Sequence, residues 1–259
     1  MRSSNSRPPR RGRASRRPAV YPPREDTELL ARAARECRGR TVLEIGTGSG
    51  AVALAAARAG ARSVVATDLN PEALGEVGRA ARGEGLPVRP ARTDLARGLG
   101  RFERVLANPP YLPTRPSERD RDPWTNLALD GGRDGCRVLA RILATLPAHL
   151  EVGGRAYVVV SSLQRPARLR SLRAQWRSDG GTVRTVARRI LEGEVLDLWE
   201  LRAGGPSRGA RRSGRRVRGT PSRRRSRVGS LRASSRGPGP GRTSAPGAAS
   251  ARRRSRPGS

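Results

Sequence analysis

The chain contains no lysine, one histidine, one phenylalanine, one methionine and two cysteines in 259 residues. Each scarcity closes a class of explanation. Two thiols, Cys37 and Cys136, cannot build a disulfide scaffold or a four-thiolate zinc site, and the single imidazole of His149 leaves no metal cluster of the usual kind. No metal is therefore expected. Both cysteines read as helix-associated structural thiols, and His149 as a helix-end residue near Glu151. A reduced, cytoplasmic setting fits this usage. The longest aliphatic run, Ala51 to Ala57, is far short of the roughly 20 residues a membrane helix needs. No apolar segment follows the arginine-rich start, as a secretory signal requires, so no membrane association is expected.

What the chain has in excess is arginine. Its 54 cations are all Arg, against 22 carboxylates, for a formal charge of +32. The excess sits at the ends. Residues 1–19 hold 7 Arg and residues 204–259 hold 17, with no carboxylate in either stretch, so residues 20–203 carry 30 Arg with all 22 acids, a balance of +8. Of the last 56 residues, 45 are Arg, Gly, Ser or Pro and none is aromatic. Such segments bury too little to offset their ordering entropy, and both ends are expected to be disordered tails flanking one domain over 20–203. The tails suit non-specific contact with nucleic-acid phosphates or a ribosome, or are solvated extensions; lacking aromatics, they offer no stacking platform for bases.

Between the tails, short β-like runs alternate with helical ones, the pattern of parallel α/β units. Strands are expected at 41–45, 63–67, near 88–92, at 104–107 and at 155–161, with two closing strands near 182–190 and 195–202 joined through Glu192-Gly193 as a hairpin. Helices are expected from about 28, with Thr27 as its cap, over 51–59, from Asn70-Pro71, over 136–150 and over 166–178. Asn70 caps and Pro71 suits a first helical turn. The fold class is thus α/β, a Rossmann-like seven-stranded sheet with helices on both faces.

Gly46-Thr47-Gly48-Ser49-Gly50 falls between the first strand and its helix, where glycines permit a tight turn and a close approach of ligand to backbone. Alone the pattern also satisfies a relaxed dinucleotide fingerprint. Asp68 ends the next strand 22 residues after Gly46, placed either to accept from both hydroxyls of a ribose or to cap a helix. Asp94, after the third strand, lies where an adenine amino group would sit, or is an ordinary turn aspartate. The fourth strand runs directly into Asn108-Pro109-Pro110-Tyr111, on the same ligand-binding edge of such a sheet. A hydride-transfer enzyme has no use for this tetrapeptide. The Asn108 side-chain oxygen and the Pro109 carbonyl can each accept one N–H of a planar NH₂ group, and Tyr111 can supply a flat face against it. Methylation at such a nitrogen would then rest on alignment, for which orientation contributes roughly 7 to 11 kcal/mol at best.

These residues resemble class I S-adenosylmethionine-dependent methyltransferases, and among them the HemK family of release-factor glutamine-N5 methyltransferases, over about residues 20–202. The likeness rests on Tyr21 to Leu30, Leu43 to Gly50, Thr67-Asp68-Leu69-Asn70, Asp94, Ala107 to Tyr111 and Ala128 to Gly135. It implies S-adenosylmethionine as methyl donor, held by Thr27, Glu44, Gly46, Thr47, Gly48, Gly50, Asp68, Asp94 and Asn108. It implies that Asn108, Pro109, Pro110 and Tyr111 hold a substrate glutamine amide in a peptide-chain release factor. Glu44, on an otherwise apolar strand, needs a partner to justify its burial. Only an arginine-rich stub precedes Val20, where the bacterial branch has a helical domain, so the chain is more similar to the short HemK2-like branch, whose members can depend on a small zinc-binding activator subunit.

Two other classes stay open on sequence alone. One is an N6-adenine or other nucleic-acid amino methyltransferase, since the same chemistry serves exocyclic amines. The other is a non-enzymatic nucleic-acid-binding protein that retains the fold. Trp124 is expected in the loop after the motif, lining a substrate groove or anchoring the loop, and the Gly131 to Gly135 loop is expected to close over the site.

Overall fold

The computed structural model describes residues 20–204. The expected tails, 1–19 and all but the first residue of 204–259, lie outside the described residues. Within them, seven strands form one sheet in the order β3-β2-β1-β4-β5-β7-β6. The strands are β1 Thr41–Ile45, β2 Ser63–Asp68, β3 Val88–Arg92, β4 Phe102–Ala107, β5 Leu150–Ser161, β6 Thr182–Leu191 and β7 Glu194–Arg202. β1 to β5 run parallel. β7 is antiparallel to β5 and to β6, and the β6–β7 hairpin turns at Glu192-Gly193, as expected from sequence.

The sequence of each strand matches its place. Central parallel strands are covered on both faces and therefore read as continuous apolar runs. β1 (Thr-Val-Leu-Glu-Ile), β2 and β4 are buried almost throughout. The edge strand β3 carries Pro90 and two arginines, tolerable where no further strand needs the missing N–H. The other edge, β6, alternates Arg and Thr with small apolar residues and is mostly exposed, which discourages pairing with another chain.

The described residues form six α-helices, α1 Glu25–Ala31, α2 Ala51–Arg58, α3 Pro71–Gly83, α4 Pro123–Leu129, α5 Arg137–His149 and α6 Pro166–Ser178, and all but α4 pack residues into the cores on the two faces of the sheet. Leu29, Leu30, Val52, Ala56 and Val77 pack from α1 to α3 against one face of the sheet. Leu139, Ile142, Leu146, Leu172 and Trp176 pack from α5 and α6 against the other. α3 opens as its sequence suggests, with the Asn70 side chain accepting from the Glu72 amide at 3.0 Å.

Four local expectations are corrected. The first helix begins at Glu25 rather than near 28, so Thr27 lies in its first turn and Arg24 occupies the cap position. β5 begins at Leu150 rather than 155, because the chain passes from the end of α5 straight into the sheet. Trp124 belongs to a helix, α4, rather than a loop; Asp122 starts it by accepting from the amides of Trp124 and Thr125. The Gly131 to Gly135 loop packs behind the substrate motif instead of closing over a site. The Gly131 amide donates to the Leu112 carbonyl at 2.9 Å, and a Cβ on Gly135 would stand 2.4 Å from the Tyr111 carbonyl oxygen.

Gly50 shows how tightly the first turn is packed. Its φ is +78°, and an added Cβ would fall 2.2 Å from Cγ2 of Val77 on α3. Left-handed backbone and overpacking each cost a side chain about 1–3 kcal/mol. Gly50→Ala is therefore expected to destabilise the protein by roughly 2–5 kcal/mol. In urea unfolding, Gly50→Ala/Val77→Ala should be less destabilised than the sum of the single variants; simple additivity would refute the clash.

Candidate active site

The glycine turn and the Asn-Pro-Pro-Tyr segment meet because the strand order reverses at β1. β1 pairs with β2 on one side and β4 on the other, with Ile45 opposite both Thr67 and Ala107. The next residues, Gly46, Asp68 and Asn108, therefore leave adjacent strand ends into one crevice, the usual ligand position in open α/β sheets. The crevice is a cavity of about 550 Å³, within the usual range for small-molecule sites.

Its lining includes Thr27, Glu44, Gly46, Thr47, Gly48, Asp68, Asp94, Asn108, Pro109, Pro110 and Tyr111. Of the residues expected to hold donor or substrate, Gly50 alone does not line it; this glycine serves helix packing instead. Asp68 is fixed by two backbone donors, the Gly48 amide on one oxygen and the Asn70 amide on the other, each at 2.9 Å. A carboxylate oxygen accepts more than one hydrogen bond, so both oxygens keep capacity toward the cavity. Asp94 lies at the rim and pairs with Arg141 at 2.6 Å.

Glu44 has the partner its position demands. Its carboxyl accepts from the Thr47 hydroxyl at 2.5 Å and the residue is 3 % exposed. Burial pushes its pKa up to about 8, opposed by hydrogen bonds from Thr47 and the Ala53 amide and reinforced by the charge of Asp68. Asn108 is unlike every other polar group of the site. Its side-chain oxygen is buried and has no hydrogen-bond partner among the described residues. A buried amide oxygen left so costs about 1–3 kcal/mol, which suits an acceptor reserved for a ligand.

Several functional residues were not legible from sequence. Asp26, 3 % exposed, accepts from the hydroxyls of Tyr111 at 3.2 Å and Tyr21 at 3.5 Å. It thereby ties α1 to the substrate motif. Burial, helped by the Asp26 charge, raises the pKa of Tyr111 well above its ordinary value and that of Tyr21 to about 12, so both phenols stay protonated and donate. The signal for Asp26 was its place beside Thr27 in the Tyr21 to Leu30 lead-in. Glu194 of β7 also lines the cavity, and nothing local announced it; Trp124 of α4 lines it too, one of the two roles its sequence position offered. His149 and the cysteines lie outside it: His149 ends α5 beside the Gly100 carbonyl, and burial pushes Cys37 up to about 12 and Cys136 to about 11.

A seven-stranded sheet with this order, a glycine turn after β1, an acidic end to β2 and a polar clasp after β4 define a class I methyltransferase. Residues 24–120 match the family described as Methyltransferase small domain. A protein N5-glutamine methyltransferase of Methanocaldococcus jannaschii is 38 % identical over 147 residues, 56 % of this chain and 74 % of that protein. Methyltransferase HEMK2 of Mus musculus is 37 % identical over 159 residues, 57 % of this chain and 74 % of the mouse protein. The release factor glutamine methyltransferase of Gloeobacter violaceus is 37 % identical over 188 residues, but the chain spans only 63 % of its length. Among solved structures, the E. cuniculi Mtq2-Trm112 complex, described as methylating the termination factor eRF1, gives a TM-score of 0.55 at 25 % identity, covering 71 % of this chain and 99 % of that one. The chain belongs to the HemK family of methyltransferases, and its methyl donor is S-adenosylmethionine.

The elevated Glu44 pKa carries a sign. Without donor, the folded state keeps a proton that an unfolded glutamate releases, so stability falls as pH rises from the ordinary glutamate value to about 8, with a slope of up to about 1.4 kcal/mol per pH unit. Glu44→Gln should flatten that slope in thermal unfolding between pH 5 and 8. The donor is cationic and favours ionised Glu44, so its affinity should tighten over the same interval in wild type and not in the variant. A parallel pH dependence in both proteins would exclude Glu44 as the titrating group.

Proposed function

We propose that the protein methylates the side-chain amide nitrogen of a glutamine in a peptide-chain release factor, most simply the glutamine of its Gly-Gly-Gln loop. The observation that carries this reading is the buried, unpartnered Oδ1 of Asn108 at the end of β4. An amide NH₂ has two hydrogens to give. Asn108 Oδ1 accepts one and the Pro109 carbonyl accepts the other, which fixes the plane of the incoming amide. The names of the archaeal and bacterial relatives support the glutamine and the release factor.

The cavity fits the donor on its own geometry. Gly46 and Gly48 adopt φ of +73° and +51° and add no side chain to the turn. Asp68 offers carboxylate oxygens that would accept from ribose hydroxyls, and Thr27, Glu44, Thr47 and Asp94 line the same cavity. Bound there, S-adenosylmethionine supplies an electrophilic methyl group on its sulfonium. The chain's own part is placement. The clasp at Asn108 and Pro109 directs nitrogen electron density toward that methyl, and Tyr111, braced by Asp26, packs against the flat amide. The donor would supply the methyl group and leave as its thioether, and the amide would release one proton to solvent; the clasp residues hold and orient the amide, and none of them is a strong base.

The E. cuniculi neighbour was solved as a complex of Mtq2 with Trm112, which supports a small activator subunit as a second component for this chain.

Asn108→Ala should lower methyl transfer by about 10²- to 10³-fold, the usual cost of one positioned hydrogen-bonding group. Its thermal stability should be equal to or above that of wild type, because the variant removes an unsatisfied buried atom. Labelled donor is supplied with a release factor and with its Gln-to-Ala loop variant. Label is expected on the first alone; equal labelling of both would overturn the assigned acceptor.

A further inference from the structure

A second cavity, of about 400 Å³, opens on the other face of the sheet between α6 and the ends of β5, β6 and β7. Its polar groups are mostly donors. Arg173 of α6 stacks over the Trp199 ring at 5.0 Å, and Arg173 Nε and Trp199 Nε1 are both buried with no hydrogen-bond partner among the described residues. Trp199 is 2 % exposed, so its indole N–H is a dry donor at the cavity wall. Arg170 lines the same cavity one turn earlier and has no ion-pair partner among the described residues. The one carboxylate in the lining, Asp197, accepts from Nε and Nη2 of Arg188 at 2.7 and 3.0 Å. Two guanidinium charges are therefore left over.

The surroundings extend this charge. Residues 165–190 contain eight arginines and one carboxylate, Asp179. Arg170, Arg173 and Arg177 stand at i, i+3 and i+7 of α6, which places them along one helix face. Guanidinium forks match phosphate oxygens in pairs, and a line of them one helical turn apart suits successive charges of a strand.

We propose that the cavity between α6 and β7 is a phosphate-binding pocket that takes the backbone of a single nucleic-acid strand, with Arg170 and Arg173 as charge partners and the Trp199 indole N–H as a buried donor. The pocket has no lining residue in common with the methyl-transfer site but is joined to it by one hydrogen bond. Ser161 lines the pocket, and its hydroxyl donates at 2.5 Å to Glu194, which lines the donor cavity. A strand held there lies beside the methyl-transfer crevice rather than within it, and the inference does not depend on which amide is methylated.

The full chain carries arginine elsewhere, so the test reads the pocket itself. Indole N–H signals of ¹⁵N-labelled full-length protein are assigned with Trp124→Phe and Trp176→Phe. They are then followed during titration with a short single-stranded oligonucleotide, inorganic phosphate or a polyglutamate peptide. The Trp199 signal is expected to move with the oligonucleotide, while the Trp176 signal, already bonded to the Thr182 carbonyl at 3.0 Å, holds still. Arg170→Gln, at an exposed position, should weaken the affinity read at Trp199 about tenfold and leave donor affinity in calorimetry unchanged. Arg173→Lys keeps the charge, loses the fork and should also weaken it. A Trp199 signal that ignores saturating oligonucleotide would overturn the proposal. So would equal movement at the same concentration of free phosphate, which would mark a small-anion site, or movement with polyglutamate alone, which would mark an acidic protein partner.

Discussion

The adjacency of β1 and β4 is the constraint on which the molecule depends. These strands are far apart in sequence and are joined side by side in parallel, with Val42 opposite Arg104 and Ile45 opposite Ala107. Neighbouring strands lie about 4.8 Å apart, so the glycine turn after Ile45 and the clasp after Ala107 emerge as near neighbours. A slip of one residue would turn the whole set of side chains to the opposite face. The register is pinned at the far end. The Glu103 carboxylate accepts from the Thr41 amide at 3.0 Å and pairs with Arg40 and Arg62, and these cations hold its pKa below the ordinary value. A surface ion-pair cluster of this kind adds little stability, but its geometry ties the first residue of β1 to β4.

The active-site end of the same strands shows the opposite balance. Glu44 is buried and prefers its neutral form when the cavity holds no cation, and Asn108 keeps an acceptor without a donor. Each feature costs folding free energy, and the surrounding apolar strands must offset it. Val42, Leu43, Val105 and Leu106 are fully buried on either side of these two polar groups. The site is thus flanked by neighbours that contribute no chemistry, and the Asn108 side-chain oxygen is satisfied only when a ligand arrives. Asp26 differs in kind, since its oxygens are already engaged with Thr27, Tyr21 and Tyr111. It positions Tyr111 through a bond that exists before any ligand binds.

Much of the sheet and half of the site could be read from residue order, for identifiable reasons. Buried parallel strands leave apolar runs bounded by turn residues, so all seven strands were located, with the ends of β4 and β5 displaced by a few residues. Thr47, Asp68 and Asn108 follow strand ends directly, and their place in the crevice follows from strand order alone. What escaped was set by tertiary packing. Gly50 belongs to a ligand-like glycine pattern yet meets Val77 of a distant helix. The Gly131 to Gly135 loop resembles a mobile cover in composition, but its Gly131 amide is spent on the Leu112 carbonyl and Gly135 packs against the Tyr111 carbonyl with no room for a side chain. α4 is only seven residues long, too short for helical periodicity to show, although Asp122-Pro123 announces its start. Glu194 and Trp199 entered their cavities only because the closing hairpin folds back beside β5.

That hairpin also explains why two cavities can share one small sheet. β7 runs antiparallel between β5 and β6, with Val158 opposite Trp199 and Ser161 opposite Leu196. Alternate residues of one strand face opposite sides, so Leu196 and Leu198 join the core under α1 while Asp197 and Trp199 turn toward α6. A strand of ordinary alternation thus presents apolar packing to the face that carries the donor cavity and a charged, indole-lined wall to the other. The two are linked by one short bond between Ser161 and Glu194 at the end of β5. β5 in turn lies directly against β4, where Ala107 precedes Asn108. An anion seated under α6 would therefore lie against the strand next to the clasp without touching either the donor or the amide.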